Sequence, residues 1–258
     1  MFRLCVAQAP ADLEGTAARL AWLRGVLPAI ATQRADLVLL PELFACGYNI
    51  GNAVADRAEP LDGPTFSAVA GMAQDCGVAI HYGFAERDGD HLFNAAVCVA
   101  PGGNILCHHR KLAIPPGFER THFKPGHGCG IVEYRGLTIA TLICYDAEFP
   151  ETVRHVAGQG ADLVLVPTAL GAQWGWVARA MIPTRAYENG VFLAYANSAG
   201  TERGMDYLGQ SVIAAPDGVE LARAGPGPEL LFSDLDRARV KAARDRLPYL
   251  ADRQALSF

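Results

Sequence analysis

Two stretches half a chain apart are nearly the same: Ala35-Asp36-Leu37-Val38-Leu39-Leu40-Pro41 and Ala161-Asp162-Leu163-Val164-Leu165-Val166-Pro167. Each is an unbroken apolar run opened by an aspartate and closed by a proline. Such runs suit strands covered on both faces, the setting of a parallel strand in an α/β sheet. Two of them are compatible with two generic helix–strand units, or with a pseudo-twofold fold made of two similar βαβ halves. On either reading a strand ends at each proline, and in open α/β sheets ligand-handling groups gather at the carboxyl ends of strands.

The rest of the chain alternates strand-like and helical patterns, as an α/β domain requires. Leu20, Leu23, Leu27 and Ile30 recur at spacings of three and four and mark one helix face, inside which Pro28 predicts a kink or an early end. A helix is expected over 64–76, then strands near 78–86, 92–100 and 104–111 with Asp88-Gly89 and Gly102-Gly103 as hairpin turns. Strands near 131–134 and 137–143 flank Arg135-Gly136. Helices over 148–158 and near 175–189, a strand over 191–197 and a hairpin at Pro216-Asp217-Gly218 follow. A single domain over 1–245 takes in all of this, and residues 246–258 form a tail with no obvious place in the core.

Composition narrows the function. The chain has 258 residues, 51% of them hydrophobic, which is enough for one well-buried α/β core. Mean hydropathy is +0.14, yet no apolar run reaches the roughly 18 residues of a membrane span. The surplus apolar surface is therefore expected inside the molecule or in a subunit interface. A net charge of −5 with scattered Lys and Arg gives no basic stripe for nucleic acid. The start, Met1 to Gln8, reads as a first strand rather than a signal peptide. The seven cysteines form no CxxC pair and no Cys/His metal spacing, which points to reduced thiols in the cytoplasm. His108-His109 cannot share an ion from one strand, because neighbouring residues there face opposite sides. No metal, cofactor, membrane or nucleic-acid partner is expected.

Three strand ends each deliver one reactive group. Glu42 follows Pro41, Lys111 ends the strand from Ile105, and Cys144 follows the run Leu137–Ile143 with a helical stretch opening soon after. A thiol on a tight strand-to-helix turn projects into open space, and nearby backbone N–H groups are free to hold an oxyanion.

The local strings are more specific than the spacing. Pro41-Glu42-Leu43, Arg110-Lys111-Leu112 with Glu119 eight residues on, Phe123-Lys124-Pro125-Gly126 and Ile143-Cys144-Tyr145-Asp146-Ala147-Glu148-Phe149-Pro150-Glu151 occur in that order. With Arg185-Ala186-Tyr187-Glu188-Asn189 and Ala196-Asn197-Ser198-Ala199-Gly200, they give a chain that resembles the nitrilase superfamily of carbon–nitrogen hydrolases from about residue 1 to 236. The resemblance implies a four-layer α-β-β-α sandwich of two mixed sheets, and subunits that pair through helices into a dimer or larger homo-oligomer. It implies Glu42 as general base, Lys111 as charged stabiliser, Cys144 as nucleophile and Glu119 as a second acid beside the site, although Glu119 could instead pair with Arg120 or Arg110. The backbone N–H of Tyr145 is the expected oxyanion donor. Thr168 and Trp174 are weaker pocket candidates from the loop after the second repeated strand, and the Trp174/Trp176 pair could equally pack core or interface.

Within that family, Cys-Tyr-Asp followed by Glu-Phe-Pro-Glu looks closest to amidases that turn a small non-peptide carboxamide into acid and ammonia through a thioester. The alternatives are hydrolysis of an N-carbamoyl amine or amino acid, nitrile hydrolysis, and a catalytically idle scaffold. Members acting on nitriles usually carry Cys-Trp-Glu at the nucleophile and have longer chains.

Overall fold

The computed structural model describes residues 1–257. The first half runs β1 (Phe2–Gln8), α1 (Gly15–Thr32), β2 (Leu37–Leu39), α2 (Ala53–Arg57), α3 (Pro64–Cys76), β3 (Ala79–Asp88), β4 (His91–Val99) and β5 (Ile105–Arg110). It continues through α4 (Phe118–His122), β6 (Gly130–Tyr134), β7 (Leu137–Thr141), α5 (Pro150–Gly158), β8 (Leu163–Pro167), α6 (Ile182–Asn189) and β9 (Phe192–Ala196). Then come β10 (Ala199–Glu202), β11 (Met205–Leu208), β12 (Val212–Ala214), β13 (Glu220–Arg223), β14 (Glu229–Leu235), α7 (Arg237–Arg246) and α8 (Tyr249–Asp252).

Two six-stranded sheets, ordered β14-β1-β2-β3-β4-β5 and β13-β12-β9-β8-β7-β6, lie face to face. Their directions match strand for strand. In each, three central strands are parallel, β1-β2-β3 in one and β7-β8-β9 in the other, and the flanking strands are antiparallel. The two repeated strings are β2 and β8 at equivalent places, so the pseudo-twofold reading holds. Their aspartates do the same job. Asp36 donates its N–H to Arg3 O at 2.8 Å and accepts Arg3 N at 2.8 Å. Asp162 donates to Thr138 O at 2.7 Å and accepts Thr138 N at 3.0 Å. Each thereby sets the register of a parallel pair.

Alternation along the strands makes four layers. Leu4, Val6, Leu39, Ile139, Leu165 and Phe192 meet between the sheets, while Cys5, Ala7, Val38 and Ile80 turn outward against α1 and α3. Ala140, Val164 and Leu193 do the same under α5 and α6. Losing one such side chain to alanine typically costs about 2–5 kcal/mol.

Two expectations need correction. Of the two outcomes Pro28 allowed, the early end does not occur: the first helix runs through it to Thr32. Burial of Leu27 and Ile30 anchors that last turn, and Thr32 Oγ1 donates to Pro28 O at 2.8 Å. The helix expected near 175–189 is present and helical without a break, with a π-helical turn over Val177–Met181 leading into α6. The tail, of which Phe258 lies outside the described residues, does reach the core: Leu250 of α8 packs on the cluster under α5 and α6. No helix among the described residues is long and apolar enough to cross a membrane.

Candidate active site

The two proline-closed strands end side by side, with Glu42 N–H donating to Thr168 O at 3.3 Å. Leu43, just beyond, takes a left-handed φ of 48°, which brings this backbone down onto Gly83. A Cβ at Gly83 would stand 2.4 Å from Leu43 N, so only glycine allows Glu42 to be seated here. Lys111 is seated from the other side. Its N–H donates to Asn94 O at 2.8 Å, and its O accepts Gly126 N at 2.7 Å. The Phe123-Lys124-Pro125-Gly126 string is thus a clamp on the end of β5, at a glycine whose Cβ would lie 2.4 Å from Arg110 O.

Lys111 Nζ lies 2.7 Å from Glu42 Oε1 and 2.7 and 2.8 Å from the two oxygens of Glu119, with all three side chains fully buried. Glu119 therefore does not pair with its neighbouring arginines. Arg110 bonds Glu86 and Asp88, and Arg120 bonds Ile114 O. Asn94, which the sequence reading passed over, spans the carboxylates, its Nδ2 donating to Glu42 Oε1 at 2.7 Å and Glu119 Oε2 at 2.9 Å. Tyr48 OH donates to Glu119 Oε1 at 2.8 Å. Glu42 Oε2 is buried with no hydrogen-bond partner among the described residues, as is Asn94 Oδ1 of the same cluster.

Cys144 opens a 3-10 turn over Cys144–Glu148 with a left-handed φ of 45°. That conformation is costly for a side-chain-bearing residue and persists only where its surroundings impose it. Asp146 imposes it. Fully buried, it accepts Ile143 N (3.0 Å) and His109 Nε2 (3.2 Å) on one oxygen, and Leu112 N (3.0 Å) and Ala113 N (2.7 Å) on the other. One carboxylate therefore ties the Cys144 turn to the chain leaving Lys111, and so ties one sheet to the other. His109 accepts Gly130 N at Nδ1, which leaves the proton on Nε2 to donate to Asp146. The twin histidines are parted: His108 meets Glu86 instead.

Thr168 lies beneath the thiol rather than on the pocket wall, with Oγ1 2.9 Å from both Cys144 Sγ and Tyr195 OH. Its hydroxyl can accept from Tyr195 while donating to sulfur, an order that grows stronger as negative charge builds there. Above the thiol is a cleft of about 470 Å³ whose lining includes Tyr48, Glu119, Tyr145, Glu148 and Trp174. Trp174 is 58% exposed and Trp176 74%, so neither packs in the core. A larger cavity of about 710 Å³ near His91, His108 and Lys124 contains none of Glu42, Lys111 or Cys144.

Electrostatics follow from burial. Desolvation pushes the Glu42 carboxyl up to about 7, against the pull of Lys111 and with a further push from Glu119. Burial also opposes the Lys111 charge, but Glu42 and Glu119 outweigh it and hold the ammonium above its ordinary range. Burial and then the Glu42 charge raise the Cys144 thiol well above its usual value, with Lys111 drawing it back. At neutral pH the thiol keeps its proton, with the charges of Glu42, Lys111 and Glu119 all acting on it.

A thiol held this way on a strained turn, over a buried carboxylate and ammonium, is equipped for acyl transfer through a covalent intermediate. Residues 3–245 match the family model for carbon-nitrogen hydrolases. The chain belongs to that family. An (R)-stereoselective amidase of a Pseudomonas species is 36% identical over 91% of this chain and 86% of its own. A nitrilase of Pyrococcus abyssi is 36% identical over 86% of each. Among solved structures, a mutant amidase from Nesterenkonia sp. AN1 is 33% identical, covers 98% of this chain and 94% of its own, and superposes with a TM-score of 0.89. That structure shows covalent addition of the acetamide moiety of fluoroacetamide at the active-site cysteine.

Proposed function

We propose that the chain is an amidase in which Cys144, Glu42 and Lys111 carry the reaction. It hydrolyses a small linear carboxamide to the carboxylic acid and ammonia through a cysteine thioester. The observation that carries the assignment of roles is the unpartnered Glu42 Oε2 in a cluster whose charges all act on the Cys144 thiol.

Cys144 Sγ attacks the carbonyl carbon while its proton passes to Glu42. The C–S bond forms and the carbonyl oxygen becomes an oxyanion. Lys111 and the Tyr145 N–H hold that oxygen. Tyr145 is the second residue of its turn, where a backbone N–H has no partner within the helix. Both Lys111 bonds to Glu119 end on one carboxylate, so a single forked N–H can serve them and another can turn to substrate. Glu42 then protonates the leaving nitrogen, the C–N bond breaks and ammonia departs. Glu42 next takes a proton from water, which attacks the thioester; the C–S bond breaks, the acid leaves and the proton passes from Glu42 back to the Cys144 sulfur. Glu119, Asn94 and Tyr48 keep Lys111 charged and aimed.

The Cys-Tyr-Asp string, with Asp146 spent on four hydrogen bonds, supports amide over nitrile chemistry, since the turn it builds is suited to an oxyanion formed at the first step. Amide turnover with added hydroxylamine should yield a hydroxamate, because a second nucleophile intercepts the thioester. Faster consumption of a nitrile than of the matching amide would overturn the amide assignment and leave that of Cys144 standing.

The working unit on this reading is a homodimer or larger. Phe149, Trp176, Tyr187 and Tyr249 are exposed around α5, α6 and α8, with the rings of Tyr187 and Tyr249 6.1 Å apart. A patch of that kind favours association. Seven unpaired cysteines support a reducing, cytoplasmic setting.

A further inference from the structure

Glu148 is the last residue of the turn that begins at Cys144, and it lines the same cleft. Its carboxylate has no hydrogen bond and no ion pair among the described residues, unlike the other acid of the cleft. Glu119 is saturated by Lys111, Asn94 and Tyr48. Arg185, whose charge acts on Glu148, spends its nitrogens on Ala147 O, Glu148 O and the Glu188 carboxylate. Among the described residues no Lys, Arg or His lines the cleft. The cleft therefore carries a carboxylate that Lys111 and Arg185 act on without bonding to it, beside the aromatic rings of Tyr48, Tyr145 and Trp174. Aromatic faces add to the attraction of an ammonium.

We infer that Glu148 is a specificity-determining residue that selects amides carrying a protonated amine close to the carbonyl, such as α-amino amides, over neutral and acidic amides. This rests on the amidase reading above and names its substrate class. Because Glu148 sits one short helical turn from the nucleophile, an ammonium paired with it falls near the scissile carbonyl rather than at the end of a long side chain. Burial raises the Glu148 carboxyl against the pull of Lys111 and Arg185, and an incoming ammonium favours its charged form. An amide ending in a carboxylate meets Glu148 with like charge and is disfavoured.

The test is a comparison at pH 7 of alaninamide, its uncharged isostere isobutyramide, and succinamate, following ammonia release. Wild-type enzyme should have the highest kcat/KM on alaninamide, through a lower KM. In Glu148→Gln the ratio of kcat/KM for alaninamide over isobutyramide should fall at least fivefold, as it should in Glu148→Ala. Glu148→Arg should move preference toward succinamate. A residue that only supports the fold would lower all three substrates together. A ratio that falls less than fivefold in every folded variant, or wild-type preference for succinamate, overturns the role of Glu148. Absence of turnover on all three amides overturns the amidase reading itself, so the two failures are distinguishable.

Discussion

Replacing Glu42 by Gln separates what the site costs the fold from what it gives the reaction. Glu42 titrates at about 7 rather than near 4.5, which is about 3 kcal/mol of disfavoured ionisation at roughly 1.4 kcal/mol for each tenfold change in acidity. The folded state holds this proton more tightly than the unfolded chain. The penalty is therefore absent below pH 4.5, grows as pH rises from 4.5 to 7, and is complete above that. Glutamine never ionises, and its Oε1 can still accept from Lys111 and Asn94. Lys111 loses one anionic partner and keeps Glu119, which returns part of the gain. Glu42→Gln should therefore be more stable relative to wild type at pH 8 than at pH 5, by about 1–3 kcal/mol. Its kcat/KM should fall by roughly 10²–10⁴. Urea unfolding of both proteins at the two pH values reads the first number, and ammonia release reads the second. A variant whose stability relative to wild type declines from pH 5 to pH 8 would refute the assignment of a buried, reluctantly ionised carboxylate. In wild type the same titration should appear as an acid limb of kcat/KM that falls about tenfold per pH unit below 7.

Cys144→Ala should lower kcat by on the order of 10⁴ or more with the fold intact; a tenth of wild-type activity remaining would end the thioester mechanism. Asp146→Asn leaves two of four buried donors without an acceptor, at about 1–3 kcal/mol each, and should lower kcat more than it raises KM. An unchanged urea midpoint would show that Asp146 does not hold the turn. Deleting 246–258 should weaken association measured by light scattering, and an intact chain of monomer mass at micromolar concentration would refute the oligomer.

The strand ends were legible because hydrophobic runs, prolines and glycines mark backbone geometry directly. Partners that act across the sandwich were not. Asn94 stands alone in the buried string Asn94-Ala95-Ala96-Val97-Cys98, and a lone amide among apolar neighbours is the signal that could have found it, since a buried amide must be hydrogen-bonded. Glu119 was named through the resemblance alone, since the five-residue helix that carries it is too short for periodicity to reveal. The β10–β11 hairpin was missed because its strands hold few apolar residues in alternation. Thr168 was placed on the pocket wall because the loop after β8 opens into the cleft. Its side chain turns inward to Tyr195 instead, a direction only the tertiary fold decides.

The pseudo-twofold arrangement also explains why there is one site and not two. The paired aspartates put Arg3 of β1 and Thr138 of β7 in register, so six residues on, Ala9 occupies the place that Cys144 holds in the other half. By the same register Glu42 and Thr168 are counterparts, each the first residue after its proline. At the Cys144 end the chain turns away and leaves a cleft. At the Ala9 end it is closed, because Ala199 N donates to Ala9 O at 2.9 Å and Ala11 N to Ala199 O at 2.8 Å. The two counterparts have thus diverged around a single thiol: Glu42 contributes a free carboxylate oxygen and Thr168 a hydroxyl at hydrogen-bond distance. Asymmetry enters the repeat at residues 9 and 144, where one strand end was sealed by β10 and the other kept open.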